Sequence, residues 1–107
     1  MPGEHVWDKI MISLENNPTE ISTITQNDRE PLWFKAFVKN SHIIIENAEI
    51  HRPSTNLTNR RRITKKDFLL IYPYYRRWIN GEIGIRNEVR DLSVNTSYIF
   101  ALIVKYE

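Results

Sequence analysis

The sequence predicts a one-domain α+β protein with an N-terminal helix, a β-hairpin or three-stranded antiparallel meander, a proline-kinked helix and a C-terminal helix. Three observations favour this class: helical spacing of apolar residues near the N-terminus, two β-branched and aromatic runs, and a helix-capping pattern after them. A chain of 107 residues is long enough for one hydrophobic core and too short for two. Residues 1–107 are therefore expected to form a single domain.

The first element is an amphipathic helix within residues 4–17. Its apolar residues recur with the spacing of one helix face: Val6, Trp7, Ile10, Met11 and Leu14. The helix should end before the Asn-Asn-Pro sequence of residues 16–18, because a residue that precedes proline is pushed out of the helical region. Residues 21–25 then predict a short strand or an irregular connection, and residues 26–31 a polar loop.

A β-hairpin follows the polar loop. Residues 32–38 and 42–46 are rich in aromatic and β-branched side chains, and residues 39–41 between them supply a turn. A hairpin of two strands is only marginally stable by itself. It must therefore pack against helices or recruit residues 21–25 as a third strand. Residues 48–59 are polar and predict a loop.

The second helix is expected to begin at Lys65. Thr64 and Asp67 fit the capping pattern in which a threonine side chain accepts a backbone N–H of the first helical turn. Pro73 lies inside this helix and should kink or split it, since proline has no N–H to donate. The Asn-Gly pair at residues 80–81 is typical of a helix end.

The last segment could be a buried strand or a helix. Residues 98–104 are β-branched and aromatic, as in a strand, but the short polar residues before them resemble helix caps. A long strand here would need a partner that the sequence does not obviously offer. We therefore expect a helix.

Charge is distributed unevenly along the chain, although the net charge is only +2. Residues 1–50 hold four Lys/Arg and eight Asp/Glu, whereas residues 51–90 hold ten Lys/Arg and three Asp/Glu. Clustered cations favour a polyanionic partner, because phosphates that meet them release condensed counterions. The alternative is that the acidic half folds over the basic half and neutralises it.

Seven cations are candidate contacts for nucleic-acid phosphates: Arg60, Arg61, Arg62, Lys65, Lys66, Arg76 and Arg77. The first five lie around the expected start of the second helix, where unpaired backbone N–H groups already favour an anion. The other two lie further along the same helix. On a straight helix both patches could share one surface.

Four further residues are weaker candidates for base or groove contact. Asn95, Thr96 and Ser97 stand at a helix start after a helix and a basic turn, as in proteins that read the major groove. They could equally be helix caps. Tyr74 belongs to an aromatic cluster that cannot all face inward, so its ring could be exposed and stack on an unpaired base.

No catalytic, metal or cofactor signature accompanies these residues. The chain has no cysteine, and His5, His42 and His51 lie in three different predicted elements. We therefore expect no enzyme activity, no metal and no cofactor. A catalytic role would require folding to bring His42 or His51 against Glu46 or Glu49 in a cleft.

The sequence also predicts a cytoplasmic protein with no membrane partner. The longest apolar run covers residues 98–104, far short of the ~20 residues that span a bilayer. The first ten residues lack the order of regions that marks a signal peptide.

Residues 33–104 carry a recurring pattern of turn, helix-start and aromatic residues: Pro53, Ser54, Ile63, Thr64, Asp67, Phe68, Tyr72, Pro73, Gly81, Asn95 and Tyr98. In this pattern the chain resembles small stand-alone bacterial modules of unknown role, and it is similar to segments that flank nuclease domains in some restriction endonucleases. The resemblance implies a DNA-associated accessory or recognition module. No catalytic residue of the nucleases has a counterpart here.

Together these observations predict a non-catalytic nucleic-acid-binding module that uses a basic surface from residues 52–90. Double-stranded DNA is the favoured partner over RNA. The alternative is a protein-interaction or homo-oligomeric module, in which the basic half docks an acidic partner or the acidic half of a second copy.

Overall fold

A computed structural model describes residues 3–24, 30–90, 92, 93 and 95–107 of the chain. The described elements are, in chain order, α1 (Gly3–Leu14), β1 (Thr19–Ser22), β2 (Trp33–Lys39), β3 (His42–Asn47), β4 (Arg61–Ile63), α2 (Lys65–Ile79), α3 (Ile85–Arg90) and α4 (Thr96–Tyr106). The strands form one antiparallel sheet in the order β1-β2-β3-β4. The α+β class is thereby confirmed. Residues 25–29, which include most of the predicted polar loop, lie outside the described part.

The β2–β3 hairpin is tighter than the sequence predicts. Lys39 pairs with His42, so the turn consists of two residues, Asn40 and Ser41, rather than three. Both have positive φ angles, of 53° and 65°, as a two-residue type I′ turn requires. This turn determines the register of the two central strands.

The fourth strand, β4, was not predicted from the sequence. It contains only three residues, two of which are arginines, so it shows no apolar alternation. Its one apolar residue, Ile63, is fully buried and pairs with Ile43 of β3. The arginine triplet therefore lies partly within the sheet, and not in a loop that precedes the second helix.

Helix α2 begins and ends where the sequence predicts. The Oγ1 atom of Thr64 accepts the backbone N–H of Asp67 at 3.1 Å. The helix continues through Pro73 as one element, so of the two expected effects of this proline, a kink or a split, the split does not occur. Asn80 is the C-cap, and Gly81 follows it with a φ of 86°, a conformation that glycine adopts without the steric cost of a Cβ.

Helix α4 confirms the prediction of a helix for the last segment. Its buried residues are Thr96 and the continuous run Ile99, Phe100, Ala101, Leu102 and Ile103. The helix is enclosed because it contacts α1, α2 and β1. The short helix α3 was not predicted, and it anchors itself to the core through Ile85 and Val89.

The core lies on one face of the sheet. Inward-facing residues of the strands, such as Phe34 and Ile45, pack with α1 and α4 in one cluster. The Phe34 ring meets the Tyr98 ring edge-on, with centroids 5.1 Å apart. The opposite face carries Trp33, Phe37 and Ile44, which do not belong to this cluster.

Replacing Phe100 with alanine should lower the free energy of unfolding by about 3–5 kcal/mol, because the ring is fully buried between α2 and the rest of the core. The same change at Val104 of α4, which is 52% exposed, should cost less than about 0.5 kcal/mol. Urea unfolding of both variants measures the difference. Equal losses of unfolding free energy in the two variants would contradict the placement of Phe100 in the core.

Candidate nucleic-acid interface

The structure divides the seven predicted phosphate contacts into two groups. Three of them form ion pairs with carboxylates: Arg60, Arg76 and Arg77. The other four form no ion pair with any residue that the structure describes: Arg61, Arg62, Lys65 and Lys66. The acidic half therefore does not neutralise the basic half as a whole.

The two arginines of α2 are held by carboxylates of the C-terminal half. Arg76 donates to Glu107 at 2.6 Å. Arg77 donates to Glu82 at 2.7 Å and to Glu88 at 3.1 Å. Its hydrogen bonds to these two carboxylates raise the pKa of Arg77, and the contact with Arg77 lowers the pKa of Glu82. A phosphate would have to displace these partners to bind either arginine.

Three of the unpaired cations gather with a fourth at one end of the sheet. We call this group the basic end: Lys39, Arg62, Lys65 and Lys66. Ile63 pairs with Ile43, and Lys39 pairs with His42. Because β4 runs antiparallel to β3, the residues that follow Ile63 lie at the same end of the sheet as the β2–β3 turn. Only this register brings Lys39 to the site, so no local pattern in the sequence places it there.

Acidic residues are absent from the chain segments that build the basic end. Residues 36–45 and 60–66 contain no Asp or Glu. The next acidic residue, Asp67, lies in the first turn of α2, where its Oδ2 atom accepts from the Asn95 Nδ2 at 3.0 Å, and its single negative charge is fewer than the four positive charges of the group. The start of α2 adds backbone N–H groups that favour an anion. The basic end therefore has an uncompensated positive charge.

Arg61 points away from the basic end. It alternates with Arg62 along β4, so its side chain lies on the same face of the sheet as Ile63. Burial raises the pKa of Tyr98, and the positive charge of Arg61 opposes that rise. Arg61 is thus beside Tyr98, on the side of the sheet that the helices cover.

The structure places the three polar candidates at the start of α4 in different environments. Asn95 and Thr96 are buried, whereas Ser97 is exposed. The Asn95 Nδ2 donates to the backbone carbonyl of Arg62 at 3.2 Å as well as to Asp67. Asn95 therefore joins β4, α2 and α4, and its amide N–H groups are already in use.

Tyr74 is half-buried and packs partly against the core. The Arg77 guanidinium lies over its ring, 5.3 Å from the centroid. This ring is therefore covered on one side by a cation that is itself paired.

The histidines do not meet the carboxylates that the catalytic alternative required. His51 lies against Glu20 instead, with its Nδ1 atom 2.8 Å from Oε1. The His42 Nδ1 is buried and makes no hydrogen bond with any residue that the structure describes. Across the described ranges, no three His, Asp or Glu side chains come close enough together to hold a metal ion.

Glu20 organises the loop after β3. Its carboxylate accepts the backbone N–H groups of Glu49, Ile50 and His51 at 2.8, 2.9 and 2.7 Å. Burial by itself would raise the pKa of Glu20, but these hydrogen bonds and the one from the His51 ring outweigh it and lower the pKa to about 2. Glu20 therefore holds the loop in one conformation while it is ionised.

Comparison of the chain with protein-family models, with curated proteins and with solved structures found no match. The resemblance to segments that flank nuclease domains therefore stays a prediction. None of the helices in the described residues is both long enough and apolar enough to span a bilayer.

Replacing Glu20 with glutamine should flatten the acid dependence of stability. The pKa of Glu20 is about 2 in the folded protein and 4.5 for an ordinary glutamate. Its contribution is therefore complete above pH 4.5 and is lost as the pH falls towards 2. Urea unfolding across this range should show a smaller change for Glu20→Gln than for the unsubstituted protein. The exposed Glu15→Gln is the control, and an unchanged slope in Glu20→Gln would contradict the assignment.

Proposed function

We propose that the chain is a non-catalytic nucleic-acid-binding module that holds phosphates at the basic end. The observation that carries this proposal is the group of four cations with no ion-pair partner among the described residues: Lys39, Arg62, Lys65 and Lys66. Of the predicted contacts, Arg76 and Arg77 are set aside because carboxylates already neutralise them.

Uncompensated cations at a surface favour a polyanion for two physical reasons. They repel one another in the free protein, and they release condensed counterions when they meet phosphates. The N-terminus of α2, with Lys65 and Lys66 in its first turn, adds oriented N–H groups to the same end of the sheet. These contributions to binding do not depend on the base sequence of the nucleic acid.

Double-stranded DNA is the proposed reference ligand. A duplex carries one phosphate charge per ~1.7 Å of its axis, twice the density of one strand, so cations that contact phosphates alone favour it. A role as an accessory to other DNA-acting proteins also fits the resemblance found in the sequence. The module itself supplies no catalytic group to this role.

Replacing Arg62, Lys65 and Lys66 together with glutamine should weaken duplex binding and reduce its salt dependence. Each phosphate contact contributes about 0.9 to the slope of log affinity against log salt, so the slope should fall by roughly two to three. Fluorescence anisotropy with a labelled duplex across a salt series measures both quantities.

The matched control removes the same charge elsewhere, by replacing Lys9, Arg76 and Arg77 with glutamine. It should change the slope by less than about one, because two of these residues are held by carboxylates and the third lies on α1. Equal effects of the two triple variants would contradict a localised site. Unfolding curves of both variants show whether either change acts through stability.

A protein-interaction or homo-oligomeric module is the second candidate, and exposed apolar residues favour it. Ile83 is 96% exposed and Ile79 is 56% exposed, near the turn between α2 and α3. Ile83 lines a cavity of about 470 Å³ together with Trp78 and Ile85. Exposed apolar patches often mark protein contacts.

A concentration-dependent mass that Ile83→Asp abolishes would support this candidate, and a constant monomer mass would contradict self-association.

A further inference from the structure

We infer that the face of the sheet opposite α1 and α4 stacks unpaired bases, so that the preferred nucleic acid carries a single-stranded segment. We call it the open face. This inference rests on the proposed function, which supplies the phosphate contacts. Stacking on bases is a second kind of contact, which cations alone cannot make.

The first stacking unit is the imidazole of His51 on the indole of Trp33. Their centroids are 4.0 Å apart and their planes are inclined by 17°, so the rings are stacked. The Glu20 carboxylate lies 2.8 Å from Nδ1 and fixes the orientation of the imidazole. The His51 side chain remains 46% exposed. A flat ring is thus held in place with part of its surface open to a ligand.

The second unit is the guanidinium of Arg60 over the ring of Phe37. The guanidinium carbon lies 5.9 Å from the ring centroid, and Glu46 holds the group through a 2.6 Å ion pair. The Arg60 side chain remains 53% exposed. A guanidinium is planar and stacks on a base as an aromatic ring does. Arg60 can therefore contact a base although its charge is already paired.

The two units share one construction. In each, an aromatic ring of β2 supports a planar nitrogen-containing group, and a carboxylate of a neighbouring strand orients that group. The arrangement lies outside the hydrophobic core, because neither Trp33 nor Phe37 belongs to the core cluster or packs against it. Orienting two half-exposed planes in advance lowers the entropy lost when a ligand stacks on them.

Their spacing selects for unpaired bases. Trp33 and Phe37 are four residues apart on β2, so they share a face and lie about 13 Å from each other. Stacked bases are separated by ~3.4 Å, so two neighbouring bases of one stacked strand cannot reach both units. Bases inside a duplex are stacked already and would have to be extruded at a cost. An extended single strand meets neither obstacle.

The charges of the open face direct the strand towards the basic end. At the middle of the face, Lys35 is held by Glu49 at 2.6 Å and lies 3.8 Å from Glu46. Among the described residues, this part offers no free cation to a phosphate. In the adjoining row, Phe37 pairs with Ile44, which pairs with Arg62 of the basic end. A base on the second unit would therefore have its phosphates near Arg62.

Three ligands separate stacking from phosphate contact. They are a thymidine single strand of about 12 nucleotides, the same strand with abasic sites throughout its centre, and a duplex of the same length. Anisotropy at one fixed low salt concentration should show that the single strand binds roughly tenfold more tightly than the abasic strand. The abasic strand keeps the phosphates, so it isolates the contribution of the bases.

Two variants test the units one at a time. Arg60→Lys keeps the positive charge and a partner for Glu46, but its ammonium group is not planar and cannot stack on a base. His51→Ala removes the imidazole, while the backbone N–H groups of the loop keep their bonds to Glu20. Each should weaken single-strand binding by about five- to tenfold and leave abasic-strand and duplex binding unchanged. Arg76→Lys is the matched control and should have no such effect.

The outcomes distinguish the two proposals. If the single strand and the abasic strand bind equally, or if neither variant affects the single strand, the stacking inference is wrong. The proposed function survives that result when the basic-end triple variant still weakens duplex binding. If the unsubstituted protein binds none of the three ligands at low salt, both proposals are wrong.

Discussion

The pairing of Ile63 with Ile43 is the constraint on which the rest of this surface depends. This pairing attaches a three-residue strand, two thirds of it arginine, to the edge of the sheet. Burial of the apolar Ile63 side chain stabilises the attachment. Side chains alternate along a strand, so burial of Ile63 sends Arg61 to the helical side and Arg62 to the open face. A slip of one residue would exchange these positions and bury an arginine. The Asn95 amide reinforces the register by binding the Arg62 carbonyl.

The same sheet separates compensated from uncompensated charge. A row of alternating charge crosses the middle of the open face, since Glu20 pairs with Lys35 and Lys35 with Glu46, which binds Arg60. Opposite charges on neighbouring strands stabilise such a row. Near the hairpin turn the strands carry no acid, so the cations there have no equivalent partner among the residues that the structure describes. One fold therefore contains a zone of paired charges and a basic end side by side.

Three carboxylates in the described part of the chain act as supports for other groups. Glu20 holds a loop and an imidazole, Glu46 holds a guanidinium, and Asp67 accepts from the Asn95 amide. Each such contact restricts a side chain that would otherwise sample several rotamers, which lowers the entropy that binding must remove. Rigid, half-exposed planes and unpaired cations are what a phosphate-and-base ligand needs, and neither requires chemistry on the ligand.

The sequence by itself determined the elements whose signals are local. The apolar spacing of α1, the Thr64 cap and Gly81 end of α2, and the β-branched run of the central hairpin all act within a few residues of themselves, so the structure confirms them. The concentration of cations in residues 51–90 was equally visible. The sequence could not reveal which of those cations stay free, because the carboxylates that pair with Arg60 and Arg76 are remote from them in the chain.

Tertiary structure alone decided the rest. Strand β4 forms because it pairs with residues about 20 positions earlier in the chain. A strand of three residues is too short to show a periodic pattern that would predict it. Lys39 joins the basic end, and His51 reaches Trp33, only through antiparallel register and loop closure. Ion pairing and stacking depend on distances between residues that are remote in sequence, and these distances are set when the hydrophobic faces of helices and sheet are buried together. The sequence thus shows the charge and type of each residue, whereas only the tertiary structure shows which side chains are available to a ligand.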